Sequence, residues 1–465
     1  MAIKRYFATK DSTISTALAS NLVTTASGSN MGASDVLEIF SIFGQASSSS
    51  LEASRVLIEM PSTKFVSDIA SGTMPLLTST NFKAYLRLFN APHGETLPTQ
   101  FTLTAKPISG SWNEGIGLDM NEYSDLGEVN WLKSDVSTFW SSQGGDYYSA
   151  SSDAYFDKGT EDLELDVTSM LQSWITGSLT SGSDIGFGLM LSSTLENSTE
   201  RSWYTKKFFS RSSEFFFKRP VLEIRWDSAI NDDRDNFYAS SSLSDDNFNT
   251  LFFYNNVKDQ LKNIPGVGTG SLSVGLFQTL GSGPALTAAS ASWVGTGIYS
   301  VDIEVDTTAS NLYDVWYSGS NQYHSGTFEV KSMNTGNPDE QNRKIVSISN
   351  LKNSYRNDEI VKLKLFVRSK EWSPTIYTVA TTDLQAEYLN NLHYRIYRVQ
   401  DGLSVIESDF VNNSTKLSYD AFGNYLMVDM SMFEPGYMYG VKFLYTETGS
   451  DIKEMDQVFK FRVEK

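Results

Sequence analysis

The side chains that carry most enzyme chemistry are scarce in this chain. Cysteine is absent, which removes disulfides, thiolate metal sites and cysteine nucleophiles together. The three histidines, His93, His324 and His393, are far apart and share no metal-ligand spacing. No G-x-S-x-G elbow is present, so a Ser-His-Asp triad would need a histidine brought beside a serine by the fold alone. The glycines of Gly266-Val-Gly-Thr-Gly270 lack a lysine at Walker spacing and run into Ser-Leu-Ser-Val-Gly-Leu-Phe277, a strand pattern, so they read as a turn. Carboxylates are plentiful, and their number alone leaves room for the acid pair of a glycosidase. Asp119, Glu122, Asp125 and Glu128 fall together, as do Asp232, Asp233 and Asp235, but neither set has the glycine and closing glutamate of a twelve-residue calcium loop. Solvated acidic loops are the first reading, and a structural Ca²⁺ site in a sandwich loop is the alternative. No catalytic, metal-ligating or cofactor-binding residue can be nominated, and the expectation is a protein that is not an enzyme.

Aromatic residues are the remaining candidates. Trp112, Trp131, Trp140, Tyr147 and Tyr148 lie in one stretch, with Trp203 and Tyr204 following later. Open rings of this kind serve as platforms on which the C–H faces of sugars stack, or as protein contacts. The competing reading is core packing, since large aromatics dominate sandwich interiors.

These side chains must be positioned by strands. The chain has 465 residues, enough for two to four domains. Its 37 Lys+Arg and 55 Asp+Glu give a net charge of −18, and the pI is about 4.7. That charge disfavours nucleic acid, whose binding needs a basic face. No run approaches the length of a membrane-spanning helix. The start, Met1-Ala-Ile-Lys-Arg-Tyr-Phe, lacks the apolar region of a secretory signal, which points to synthesis and folding in a cytoplasm. Apolar and polar residues alternate in Phe82-Lys-Ala-Tyr-Leu-Arg-Leu-Phe89, Val221-Leu-Glu-Ile-Arg-Trp226, Tyr299-Ser-Val-Asp-Ile-Glu-Val305, Val361-Lys-Leu-Lys-Leu-Phe-Val-Arg368, His393-Tyr-Arg-Ile-Tyr-Arg-Val399 and Val458-Phe-Lys-Phe-Arg-Val463. That period of two predicts half-buried antiparallel strands. One segment departs from it. In Asp166-Val-Thr-Ser-Met-Leu-Gln-Ser-Trp-Ile-Thr-Gly177, Val167, Met170, Leu171 and Trp174 follow helical spacing, which predicts a single short helix capped by Asp166 and ended by Gly177, with Trp174 buried. Polar stretches after Trp226 and around Lys331–Arg343 predict three all-β domains: a two-sheet sandwich over 1–227 and smaller immunoglobulin-like sandwiches over 228–333 and 334–465.

Over the first domain the order of motifs resembles a known family. Ser111-Trp-Asn-Glu-Gly115, Val129-Asn-Trp131, Trp140-Ser-Ser-Gln-Gly-Gly-Asp146, the short helix, Ile185-Gly-Phe-Gly-Leu-Met-Leu191, Phe209-Ser-Arg-Ser-Ser-Glu214 and Arg219-Pro-Val-Leu-Glu-Ile224 follow one another as in the DNRLRE-type domain. The resemblance implies a jelly-roll sandwich similar to carbohydrate-binding modules, with Ser and Glu of the 209–214 motif tying the last loop to the sheet. The stretch Thr194–Trp203 is an extension to that pattern, so any ligand surface of the family would be altered here. In the remainder, Leu251–Leu261, Val346–Leu351, Glu371-Trp-Ser-Pro-Thr-Ile-Tyr-Thr-Val379 and Glu434–Phe443 are similar to structural proteins of tailed bacteriophages, marine ones in particular.

The resemblance implies a virion component in the neck or collar, on the tail or decorating the capsid. Its expected partners are other virion proteins (portal, neck, tail or major capsid) and further copies of itself as a homo-oligomer, with neither nucleic acid nor membrane. The alternative reading is a protein that binds a glycan or host surface through the jelly roll, with Trp112, Trp131, Trp140, Tyr147, Tyr148 and Trp203 as the contact rings.

Overall fold

Alternation becomes layering wherever one face of a strand meets another sheet. In Lys83–Leu88 the residues Ala84, Leu86 and Leu88 are buried, while Lys83, Tyr85 and Arg87 face outward. The computed structural model describes residues 2–25, 28–71, 74, 82–118, 128–177, 179, 185–200, 202–241, 249–258, 260–280, 283–331, 344–369, 389–446 and 452–465. They form an all-β chain in two compact units, Ile3–Trp226 and Asp227–Lys465, with Ala2 belonging to the second.

The first unit contains β1 (Ile3–Phe7), β2 (Lys10–Ser15), β3 (Val36–Phe43), β4 (Leu51–Met60), β5 (Lys83–Leu88), β6 (Phe101–Pro107), β7 (Ser152–Phe156), β8 (Leu163–Asp166), β9 (Ile185–Leu191), β10 (Ser202–Phe209) and β11 (Val221–Arg225). One sheet runs β1-β11-β5-β8 and the other β10-β3-β4-β9-β6-β7, with β2 paired to β4. The quartets β1-β11-β5-β8 and β4-β9-β6-β7 hold the strand order of a jelly roll, because the chain crosses repeatedly from one sheet to the other. Leu86, Leu88, Leu103, Phe156, Leu189, Phe208 and Leu222 belong to the core between them.

Three α-helices occur among the described residues, not one: α1 (Ser62–Ala70), α2 (Thr168–Ile175) and α3 (Ser193–Glu196). α2 is the helix that the spacing predicts, and Met170 and Leu171 are buried. Its N-cap is Val167, one residue after Asp166, whose Oδ1 accepts from the Thr168 amide at 2.9 Å. Gly177 follows at φ +77°, the left-handed conformation that ends the helix without a Cβ penalty. Trp174 is only half buried, at the margin of the core. α1 goes unread in the sequence because Phe65 is its one deeply buried large side chain, set edge-on to Tyr6 at 5.4 Å.

The second unit begins with β12 (Phe237–Tyr238), β13 (Asn249–Tyr254), the small hairpin β14 (Asn256–Val257) and β15 (Gln260–Leu261), then β16 (Leu272–Phe277), β17 (Thr287–Gly295), β18 (Ile298–Ile303), β19 (Asn311–Ser318) and β20 (Asn321–Lys331). The strand order β12-β20-β19-β16-β17-β18-β13 is continuous because β17 serves both layers. Its residues 287–291 pair with β16, and Ser292, Trp293 and Gly295 pair with β18 across a bulge. The layers enclose Leu251, Val274, Tyr299, Val301 and Trp316.

The last part contains β21 (Lys344–Ile348), β22 (Ser354–Arg356), β23 (Ile360–Ser369), β24 (Leu392–Arg398), β25 (Ser404–Ile406), β26 (Ser418–Asp420), β27 (Gly423–Asp429), β28 (Met438–Thr446), β29 (Ile452–Glu454) and β30 (Phe459–Glu464). Sheets β21-β23-β27-β26 and β22-β30-β28-β24-β25 reproduce the immunoglobulin-like order, with the edge strand β22 parallel to β30. Tyr439, at the start of β28, is fully buried and donates its hydroxyl to the Glu434 carbonyl at 2.8 Å, the tyrosine corner of such folds. The polar stretch expected to divide 228–333 from 334–465 falls on residues 332–343, outside the described residues, as does the segment 371–379 of the phage-like pattern.

Candidate functional site

The aromatic stretch of the first unit builds a lobe over β2 and β4, and the lobe is held from within. Trp112, Trp131 and Trp140 are buried with Ile14, Leu57, Ile108 and Val129 in a second core, against which Tyr147 packs. Trp140 Nε1 donates to the Asn130 carbonyl at 3.0 Å, and the Tyr147 hydroxyl donates to Gly144 O at 2.8 Å. Arg55 of β4 lies against both Trp131 and Tyr147, 5.0 and 5.7 Å from their ring centres, and is bidentate to Glu196 at 2.7 and 2.9 Å. Tyr148 is half buried beside Met170 and Trp174. The backbone of Trp203, in β10, pairs with Ile42 of β3, while its side chain and that of Tyr204 lie outside the described residues. Trp112, Trp131 and Trp140 therefore cannot be sugar platforms: a ring spent on a core offers no open face, and these three fill the lobe's interior instead.

The lobe's outside differs from its inside. Ile116, Leu118, Val136 and Phe139 are 79%, 68%, 60% and 66% exposed. Asn113 N donates to Ser134 O at 3.0 Å and Val129 N to Asn113 O at 3.1 Å, so the segments carrying these four side chains are stitched together at their bases.

The two motifs that flank the first domain's pattern meet. Arg211 forks onto Glu114, its backbone N–H donates to Asp11 Oδ2 at 2.6 Å, and Asp11 N donates to Glu114 Oε1 at 2.8 Å. Burial pushes the Asp11 carboxyl up to about 7, against the Arg211 N–H bond that lowers it. The tie therefore runs through Arg211 and not through Glu214, which is exposed. Ser210 does take part, donating to Ser34 O at 2.6 Å.

The histidines stay apart and each packs on a ring or a turn. His93 Nδ1 accepts from the Glu95 amide, His324 stacks on Phe253 at 5.5 Å, and His393 lies 4.0 Å from the Phe410 ring centre. Of the first acidic set, residues 119–127 lie outside the described residues. In the second set only Asp235 is exposed. Asp232 is buried and pairs with Arg234 at 2.6 Å, and Asp233 accepts from Thr250 N and the Tyr419 hydroxyl at 2.8 and 2.9 Å. No group of three candidate metal ligands occurs among the described residues. Gly266 and Gly268 turn at φ +85° and +60°, and the Tyr299 hydroxyl donates to Gly268 O at 2.7 Å, so this glycine cluster is a packed turn.

A feature that no sequence motif marked lies in the second unit. A cleft of about 450 Å³ opens between β13 and the β26–β27 hairpin. Arg234 forms its polar floor, paired with Asp232 and with Asp314 at 2.7 Å and donating to Phe252 O at 2.6 Å. Lys362 lies 3.6 Å from the Tyr425 ring centre and 3.4 Å from Asp420. Burial pushes the Asp232 carboxyl up to about 6 and the Tyr425 hydroxyl up to about 12. Phe422, at the hairpin tip, is 83% exposed on the cleft's rim. The signal available in the sequence was Asp420-Ala-Phe-Gly423, a tight turn with an aromatic residue at its tip.

No family model and no curated protein matches the chain. Among solved structures, a chimeric titin Z1Z2 is 14% identical, covering 43% of this chain and 84% of its own, with a TM-score of 0.16. The tandem Ig repeats of Dlar are 8% identical over 46% and 83%, with a TM-score of 0.14. An alpha-2-macroglobulin from Salmonella is 10% identical over 88% of this chain and 22% of its own, with a TM-score of 0.16. At these values no activity or partner follows from the likenesses.

Proposed function

We propose that this chain is a non-enzymatic structural component of a tailed-phage virion, acting through protein–protein contacts at the neck, the tail or the capsid surface. The observation that carries the reading is the lobe of the first unit: a tryptophan-packed, internally bonded platform whose outer side chains Ile116, Leu118, Val136 and Phe139 stay in water. Apolar surface held over a packed interior suits an assembly interface, because less ordering entropy is lost when it is covered. The phage-like segments of the second unit favour a virion as the assembly. The decisive experiment is mass spectrometry and electron microscopy of purified particles from a phage encoding the chain. The chain should be present in symmetric copy number, and density for the jelly roll should show the lobe covered by a neighbouring virion subunit. Its absence from washed particles, or a lobe facing solvent in every copy, would overturn the reading.

A further inference from the structure

We propose that the cleft between β13 and the β26–β27 hairpin is a binding site for a neutral saccharide. This site is distinct from the lobe and does not rest on the virion reading. The cleft, at about 450 Å³, falls within the roughly 300–1,000 Å³ of small-ligand sites. Its charges are matched on the spot: Arg234 by Asp232 and Asp314, Lys362 by Asp420. An anion would meet Asp232 and Asp420, and a cation would meet Arg234 and Lys362, so neither finds a net attraction. An apolar side chain would strip water from Lys362 and Asp420, the two charged groups that keep most exposure, and return no hydrogen bonds, which is costly. A pyranose suits both halves of the lining. Its hydroxyls donate to carboxylates and accept from guanidinium and ammonium groups already held in place by their pairs. Its C–H face lies on an aromatic ring.

Phe422 supplies that ring in the most telling position. It sits at the tip of a tight turn whose conformation is set by its own N–H donating to Asp420 Oδ1 at 2.9 Å. The turn needs no aromatic residue there, and the side chain is 83% exposed, so folding gains almost nothing from it. Tyr254 of β13 lines the facing wall, and Tyr425 of β27 is fixed under the Lys362 ammonium.

The test is saturation-transfer NMR on the full chain with maltotriose, mannotriose, chitotriose, the anionic sialyllactose and a short Leu/Phe peptide as probes. At least one neutral trisaccharide should receive saturation on its ring protons and bind more tightly than the other two classes. Phe422→Ala, a surface change, should weaken that binding at least tenfold, and Asp420→Asn should weaken it as well. Phe139→Ala on the lobe should leave it unchanged, which separates this site from the contact surface proposed above. No transfer to any neutral sugar, transfer insensitive to Phe422→Ala, or preference for sialyllactose or the peptide would each overturn the proposal.

Discussion

Lys206 shows how much of this molecule's order depends on single polar side chains. It is fully buried in β10, and its ammonium donates to Asn90 Oδ1, Gly159 O and Glu161 O at 2.6, 2.8 and 2.8 Å, with Phe156 and Phe208 about 5 Å away. Desolvation lowers its pKa to about 8, and the nearby Glu161 and Asp162 charges oppose that shift. Lys206→Met keeps the stem but leaves three buried acceptors unpaired, so it should cost about 3 kcal/mol or more in denaturant unfolding. An unchanged midpoint would mean that the loops at 90 and 159–161 do not need the cation. Asp11 predicts a pH dependence. Its folded pKa, about 7, lies above the ordinary aspartate value of 3.8, so between those values the folded chain holds a proton that the unfolded chain has released. Its contribution to stability therefore falls as pH rises through that window, at up to roughly 1.4 kcal/mol per unit. Asp11→Asn should remove that slope, read as the difference between wild-type and variant unfolding at pH 5 and pH 8. Neither role was legible in the sequence: Lys206 reads as one charge in a strand and Asp11 as a polar residue near a terminus, and only the fold brings Arg211 and Glu114 to Asp11.

The elements were more legible than their neighbours in space. Strands such as Lys83–Leu88 announce themselves by period two, but alternation says only that one face is wet, not which strand lies alongside. The crossing order β1-β11-β5-β8 depends on pairings far apart in the chain, such as Arg5 with Glu223, 218 residues on. The tryptophans misled for a related reason: in a loop rich in Ser, Asn and Gly, a ring under the loop and a ring upon it give the same sequence. Helix α2 permits a graded test. Leu171 is fully buried and Trp174 only half, so Leu171→Ala should cost about 2–5 kcal/mol and Trp174→Ala less than the ~3–5 typical of a core ring. Equal losses would contradict the packing of this helix. At the other end of the chain, Tyr439→Phe leaves the Glu434 carbonyl without its 2.8 Å donor and should cost about 1 kcal/mol in thermal or denaturant unfolding, while Tyr437→Phe, outside that corner bond, should be close to neutral.

For the whole molecule, charge and apolar surface oppose each other. Two copies, each carrying −18, repel over the screening length, while the lobe's Ile116, Leu118, Val136 and Phe139 gain from being covered. Raising salt from 0.1 to 1 M shortens that length from about 10 Å to about 3 Å and leaves the apolar contact in place. Self-association through the lobe should therefore rise with salt, seen as a growing mass in light scattering at fixed protein concentration. Moving the pH from 8 toward the pI of about 4.7 should act in the same direction by removing net charge. Phe139→Ser and Ile116→Ser should suppress the salt-driven mass increase without changing thermal stability, since both side chains lie in water in the isolated chain. Phe422→Ala should leave it intact. Association that weakens with salt would instead assign the contact to paired charges, and a mass unchanged up to 1 M would show that the lobe is made for a different protein rather than for another copy of this one.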